Sequence, residues 1–365
     1  MHLLRNHVLK EILGNFLWAM LVLTFVLLVG NVFTKMIDLI INRGVDPVSI
    51  AQLVAYSTPY ICVYTLPMAA LVAVLLAFGR LSADHELTAL RASGISLARV
   101  IAPVLLAAAT LSLFTFYLGD QLASKSHFRM RQISAQIGLQ SPTAALEEGV
   151  FIKSFGDLVI FIHRIDGDKL QQVRIYQPQA NGPTRTIVAE HGQLIPLPEQ
   201  NIIKLKLENG TTDEPDANNP GRFYKLKFGT YFLPLDISGF KFKASLEKKR
   251  KELTLRELWA QFVKLRDDGY VDNYVLTEIH QKITLALAPL VLTLLAIPLG
   301  IRTHHSEKSV GFAVALILGT VYWITLIGVS AVAKTGTLPP AAIVHLPNIA
   351  FLALGFWLMN HLLKS

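Results

Sequence analysis

The segment Asp84-His85-Glu86-Leu87-Thr88-Ala89 comes closest to a hydrolytic metal site. Two histidines four apart on a helix, with a glutamate after the first, can hold zinc and activate water. The fourth residue after His85 is Ala89, so the second ligand is missing and a zinc protease is set aside. His304 and His305 are adjacent, a spacing that suits a solvated turn better than a ligand pair. Lys334-Thr335-Gly336-Thr337 has the residue types of a phosphate-binding loop without its frame, so the chain is not expected to hydrolyse ATP through a P-loop. No catalytic residue, metal ligand or cofactor is assigned. What remains are isolated charges beside long apolar runs.

Those runs define the elements that position the charges. Of the 365 residues 52% are hydrophobic, and they are gathered at both ends of the chain. A spanning helix needs on the order of 20 apolar residues. Residues 12–33, 54–78, 100–118, 279–301, 310–333 and 343–363 meet this length. One such run could be a buried core helix, but six argue for a polytopic membrane protein. The first is too long for a secretory h-region and is followed by Lys35, Met36 and Asp38 rather than a small-residue cleavage site, so it reads as a permanent span.

Lys and Arg in short connections set orientation. With the N-terminus inside, the inner face carries Arg5, Lys10, Arg80, Arg91, Arg99, Arg302, Lys308 and Lys364. The outer segments carry Lys35, Arg43, Lys334 and Lys282. The excess favours both termini inside and residues 120–275 outside. That segment holds 22 Lys and Arg against 19 Asp and Glu, so most of the net +8 belongs to the membrane part and its short loops. Such a balance suits anionic lipid head groups. Nucleic acid is not an expected partner, because no basic stripe with interleaved aromatics occurs.

The expected organisation is residues 1–119 with three spans, residues 120–275 as an all-β domain with flanking helices, and residues 276–365 with three more spans. The only cysteine, Cys62, lies in the second apolar run, so the outer domain must be stable without a disulfide. A domain of about 150 residues is large enough for that. Residues 150–155 and 158–165 flank Gly156-Asp157 and read as a hairpin. Further strands are expected at 170–176, 186–189, 202–207 and 223–228. In the last two, Ile203-Lys204-Leu205-Lys206-Leu207 and Tyr224-Lys225-Leu226-Lys227-Phe228 alternate, so each predicts one dry and one wet face. Such spacing suggests a sandwich or jelly roll. Thr254-Leu255-Arg256-Glu257 is a capping-box pattern opening an amphipathic helix that Asp267-Asp268-Gly269 ends, and a helix from about Asn273 should continue into the membrane.

Residues 80–96, between the second and third spans, read as a helix starting near Ser82 with acids in its first turn, followed by Leu87, Leu90 and Ile95. A short amphipathic helix at the cytoplasmic face is a shape that a separate motor can grip. A solvated surface loop is the plainer reading of the same residues.

The runs Leu66-Pro67-Met68-Ala69-Ala70-Leu71, Gly79-Arg80-Leu81-Ser82-Ala83-Asp84-His85-Glu86-Leu87-Thr88-Ala89-Leu90-Arg91-Ala92-Ser93-Gly94-Ile95-Ser96 and Ala296-Ile297-Pro298-Leu299-Gly300 together resemble the LptF/LptG family, also called YjgP/YjgQ. These are permease subunits of the lipopolysaccharide export ABC transporter. The resemblance covers the whole chain and implies a periplasmic β-jelly-roll domain between two sets of three spans in a bacterial inner membrane. It implies a heterodimer of two such permeases on an LptB-type ATPase dimer, with LptC-type and LptA-type proteins forming the periplasmic bridge. It also implies that the first and fifth spans are lateral gates of a lipid cavity.

By the same resemblance Glu86 matches the acidic residue of the coupling helix, with Asp84, Leu87, Leu90 and Arg91 around it. Lys35 matches a lysine that contacts lipopolysaccharide phosphate at the outer end of the first span. Arg43, Lys125, Arg129 and Arg131 could extend that basic rim, Arg131 matching best. Lys35 taken alone reads as an interfacial anchor. The stretches at 282–285 and 297–299 lean to the LptF type, and Lys35 leans to the LptG type. Two rivals stand beside this reading: a non-transporting scaffold for the β domain, and a membrane-embedded lipid enzyme. The enzyme ranks last, since the spans offer almost no acids or histidine pairs.

Overall fold

The computed structural model describes residues 2–30, 46–140, 148–155, 158–166, 169–179, 182–197, 202–216, 219–236, 248–270, 272–303 and 308–364. The chain forms two compact units: Met1–Gly30, Tyr56–His127 and Lys249–Ser365 make the first, Asn31–Ala55 and Phe128–Lys248 the second. The helices are α1 (His2–Leu28), α2 (Pro47–Ala83), α3 (Glu86–Ala92), α4 (Leu97–Tyr117), α5 (Ser124–Gln140), α6 (Leu255–Asp267), α7 (Asn273–Thr303), α8 (Lys308–Thr335), α9 (Pro340–Ile343) and α10 (Leu346–Lys364). The strands are β1 (Phe151–Phe155), β2 (Leu158–Asp166), β3 (Lys169–Gln179), β4 (Gly182–Leu197), β5 (Ile202–Asp216) and β6 (Asn219–Asp236).

Among the described residues six stretches are long and apolar enough to cross a membrane: Arg5–Leu28, Pro47–Ala83, Leu97–Ser134, Asn273–Arg302, Val310–Thr335 and Pro340–Leu362. They coincide with the six expected runs. The third is longer than expected, because a π-helical turn at Leu118–Ala123 joins α4 to α5 without a break. The second and fourth spans are interior, with 78% of each apolar window buried, against 11% for the first and 22% for the fifth. Leu71, Leu75, Phe78, Leu292, Ala296 and Ile297 form the centre of the core.

α2 and α7 touch nearly backbone to backbone. A Cβ on Gly300 would lie 2.9 Å from the Leu75 carbonyl oxygen and 3.2 Å from the Gly79 nitrogen. Small residues permit such approach where lipid leaves dispersion and packing as the main attraction between helices. This is a physical reason for glycine in two of the family-like runs.

In the second unit the six strands form one antiparallel sheet in chain order, each joined to the next as a hairpin. Phe155 opposes Leu158, which bears out the expected hairpin, although its turn residues Gly156 and Asp157 lie outside the described residues. Burial falls on Leu170, Val173 and Ile175 in β3, on Ile187, Ala189, Gly192 and Leu194 in β4, and on Leu205, Leu207, Gly210 and Thr212 in β5. The period of two therefore skips once in each strand. Gln172 at φ 52° and Asn209 at φ 51° stand at the skips of β3 and β5. One left-handed residue reverses the side-chain alternation, so the same face lines the core on both sides of it. Gly210 belongs here because a Cβ would lie 2.6 Å from the Val188 carbonyl oxygen and 2.3 Å from the Phe228 ring.

β4, β5 and β6 run well past the expected segments. In β5 the alternation holds, with Leu205 and Leu207 buried and Lys204 exposed. In β6 the expected dry face is corrected: Tyr224 is 57% and Leu226 51% exposed. Among the described residues β6 is an edge strand and Leu226 has only Thr212 opposite it, so the row Ile175, Ile187, Thr212 ends at an exposed Leu226.

The capping box is present: the Thr254 hydroxyl accepts from the Glu257 N–H at 3.4 Å, and the Glu257 carboxylate accepts from the Thr254 N–H at 2.8 Å. Leu258, Val275 and Ile279 bury together with Phe262 and Leu265 against them. α7 runs from Asn273 into the span as one helix, as expected.

Candidate functional site

The segment expected to meet a partner is built differently from its sequence reading. Ser82 does not open a helix. It closes α2, and its hydroxyl donates to the Ile301 carbonyl at 2.7 Å. His85, at φ 56°, turns the chain, and α3 follows for 7 residues with Glu86 in its first turn. Gly94, at φ 76°, ends it: its N–H reaches the Arg91 carbonyl, and the Ile95 N–H reaches that of Leu90, both at 3.0 Å. This Schellman arrangement uses the freedom that glycine has at positive φ.

α3 is divided in its environment. Leu87 is buried in the helical core with Leu90 packed against it, so these two hold α3 in place. Asp84, Thr88, Ala89 and Arg91 are exposed, and Glu86 is half-exposed. Arg91 nevertheless donates to the Leu362 carbonyl at 3.2 Å. Arg80, at the end of α2, pairs with Glu11 of α1, donating from Nη2 with Nε within ion-pair distance of the other oxygen. The same guanidinium lies 3.9 Å from Asp84 and 4.0 Å from Glu86. α1 at Glu11 and the ends of α7 and α10 are thus tied to the residues around α3 through Arg80, Ser82 and Arg91.

Of the residues proposed for a basic rim, Lys35 and Arg43 lie outside the described residues, as do His304 and His305. Arg129 is exposed and donates to Gln132 at 3.1 Å. The Arg131 guanidinium lies 5.6 Å from the centre of the Phe128 ring. Two positions apart on α5, Arg129 and Arg131 face different directions, whereas Lys125 and Arg129 share a face by their i, i+4 spacing.

Two buried polar clusters were not anticipated. In the first, the Lys282 ammonium donates to Ser124 Oγ and the Leu253 carbonyl, each at 2.7 Å, and lies 3.4 Å from Asp120 Oδ1. Asp120 also accepts from the Leu255 N–H at 2.5 Å and from Gln121 Nε2 at 2.8 Å. Beside it His127 Nδ1 stands 3.3 Å from the buried Glu252. A cavity of about 60 Å³ adjoins Asp120 and Lys282 and is lined also by Tyr60, Tyr64, Glu278 and Gln281.

In the second cluster His280 and His345 meet at 3.1 Å, and His345 Nδ1 lies 2.8 Å from the Thr284 hydroxyl. Asn348 donates to the Thr284 carbonyl at 2.9 Å and accepts from the buried Tyr322 hydroxyl at 2.8 Å. Few acids and histidine pairs are expected in the spans, and among them are His280 with His345 and Asp120 with Lys282. Folding brings His280 to His345 and Asp120 to Lys282, pairs too distant in sequence for spacing to show. The described residues contain no cluster of three His, Cys, Asp or Glu able to hold a metal ion.

The first and fifth spans leave large apolar side chains uncovered. Trp18 is 71% and Phe25 61% exposed on α1, and Ile317, Ile324 and Ile327 are similarly open on α8. A groove of about 440 Å³ lies along α1, lined by Ile12, Phe16, Val74, Val104 and Leu111.

A bundle of six spans with an inserted β domain, buried polar clusters and open apolar faces has the architecture of a polytopic membrane permease subunit. Residues 6–361 match the family model for the lipopolysaccharide export system permease LptF/LptG, and the chain belongs to that family. It is 20% identical over 353 residues to the permease protein LptF of Escherichia coli K12, covering 95% of this chain and 93% of that protein. The LptF protein of Shigella flexneri shows the same identity and coverage. The LptG protein of E. coli K12 is 26% identical over 219 residues, 58% of this chain and 59% of that protein.

Proposed function

We propose that this permease works as half of an LptF/LptG-type heterodimer that lifts lipopolysaccharide out of the inner membrane. An LptB-type ATPase dimer drives it from the cytoplasm, and the β domain passes the lipid to LptC-type and LptA-type periplasmic proteins. Both termini are cytoplasmic. The carrying observation is the uneven burial of the spans: α2 and α7 form a fixed core, whereas α1 and α8 expose broad apolar faces. Such faces are what acyl chains need, since each buried CH₂ contributes about 0.8 kcal/mol. The same magnitude, multiplied over several chains, prevents spontaneous extraction, so work from ATP must enter.

Entry is assigned to α3 with Asp84, Glu86 and Arg91 as contact groups, and Leu87 and Leu90 as the anchor that passes its movement to the bundle. Lys35, Arg43, Arg129 and Arg131 are assigned to lipid phosphates. A partly desolvated cation attracts such anions far more strongly than a water-screened one. Glu86→Lys tests the ATPase contact, because charge reversal at an interface costs several kcal/mol. The variant should insert normally and lose both the co-purified ATPase and export. Normal assembly and export would reject α3 as the contact.

A further inference from the structure

We propose that Arg80 is a positioning residue that links capture of α3 by the ATPase to the fastening of α1. This rests on the reading of α3 given above and adds a residue outside that contact surface. One guanidinium serves two sets of acids. Its Nη2 donates to Glu11 and its Nε lies within ion-pair distance of the other Glu11 oxygen, while Asp84, 3.9 Å from Nη1, and Glu86, 4.0 Å from Nη2, stand just beyond hydrogen-bond distance. Glu11 and Glu86 both approach Nη2 and so compete for it, while Asp84 draws on the same cation at Nη1.

The competition has a direction. A cationic group of the ATPase that takes Glu86 or Asp84 removes the rival acids and leaves Arg80 wholly with Glu11. When the ATPase group withdraws, the acids at α3 draw on Arg80 again and the hold on Glu11 weakens. α1 is the least buried span, with 11% of its apolar window covered, so a polar fastening at this end weighs heavily in its position. A second fastening, Thr24 to Thr65 at 3.1 Å, lies further along the same helix. The Arg80 pair thus tightens or frees one end of a wall that faces the lipid.

Linkage makes this testable, because an effect of the ATPase on the Arg80–Glu11 pair must be matched by an equal effect of the pair on ATPase affinity. Glu11→Gln and Arg80→Gln break the same ion pair. An ion pair with only a structural role gives both variants the same effect. The relay gives different ones. Glu11→Gln sends Arg80 to the acids at α3, where it opposes the ATPase, and affinity falls by about tenfold. Arg80→Gln removes the competitor, and affinity stays or rises. Both lower the lipopolysaccharide released per ATP hydrolysed, and Glu11→Asp, which keeps the charge, lies near the parent.

The experiment titrates fluorescently labelled ATPase onto the permease heterodimer in lipid nanodiscs and measures release per ATP hydrolysed in the same preparations. Affinities that move together in Glu11→Gln and Arg80→Gln, or an unchanged affinity in Glu11→Gln, overturn the relay. Parental affinity in Glu86→Lys would instead show that α3 is not the ATPase contact, a separate failure.

Discussion

Lys282 and Asp120, 162 positions apart in sequence, face each other at 3.4 Å with side chains only 11% and 10% exposed. The ammonium has three N–H groups and finds three acceptors: Asp120, Ser124 and the Leu253 carbonyl. Asp120 in turn holds the first N–H of α6. The pair therefore joins the π-helical turn of the third span, the chain before α6 and the fourth span within the first unit.

Removing one member of a buried pair leaves an uncompensated charge, which costs about 3–5 kcal/mol, whereas removing both is far milder. Lys282→Met should lower the thermal midpoint of the detergent-purified protein strongly. Adding Asp120→Asn to it should recover part of the loss. A single variant as stable as the parent would contradict the role given to this cluster.

Gly300→Ala places a Cβ 2.9 Å from the Leu75 carbonyl oxygen, so α2 and α7 must move apart. Such overpacking costs about 1–3 kcal/mol. A Cβ on Gly14, on the open α1, would meet nothing within 4 Å, and Gly14→Ala should be neutral or slightly stabilising. Unfolding scans of the two variants test the contrast, which fails if they shift the midpoint alike.

In the sheet, Lys206 stands 2.5 Å from Glu208 and holds its carboxyl below the ordinary glutamate range, chiefly through the hydrogen bond. A lowered folded value means the contribution is present above the unfolded value and is lost as pH falls through the folded one. The group is exposed, so the contribution is small and screened by salt. Lys206→Gln should lower stability slightly at neutral pH and low salt and converge with the parent as pH falls through the folded value, so its acid limb is flatter. An acid limb unchanged by the substitution contradicts the pairing.

The proposed phosphate contact separates from simple anchoring by charge. Lys35→Arg keeps the charge, Lys35→Gln removes it and Lys35→Asp reverses it, so export should fall in that order with insertion unchanged. Equal export and equal lipid crosslinking in the parent, Lys35→Gln and Lys35→Asp would return Lys35 to an interfacial role.

The parts legible in the sequence were those fixed by local physics. Apolar runs of membrane length located all six spans, a two-residue gap between β-rich runs located the β1–β2 hairpin, and Thr254 with Glu257 located the start of α6. The strand lengths were hidden because alternation skips near Gln172 and Asn209, where one left-handed residue breaks the pattern that reveals a strand. β6 misled for another reason: alternation shows which residues share a face, not whether another element covers it. Of the site, Asp84 and Glu86 were legible as acids on a turn, but the burial of Leu87 and the Arg80–Glu11 pair depend on packing. The His280–His345 and Asp120–Lys282 contacts are long-range and leave no local signature.

The central claim is that this chain moves lipopolysaccharide with energy supplied by a separate ATPase. Its most direct test is transfer of lipopolysaccharide from vesicles holding the assembled permeases and ATPase to a soluble LptA-type acceptor, followed by photocrosslinking. The account predicts crosslinked acceptor only when ATP and this chain are both present, and its loss when Glu86→Lys is introduced. Transfer at the same rate without this chain, or no transfer from an assembly that contains it and hydrolyses ATP, would contradict the account.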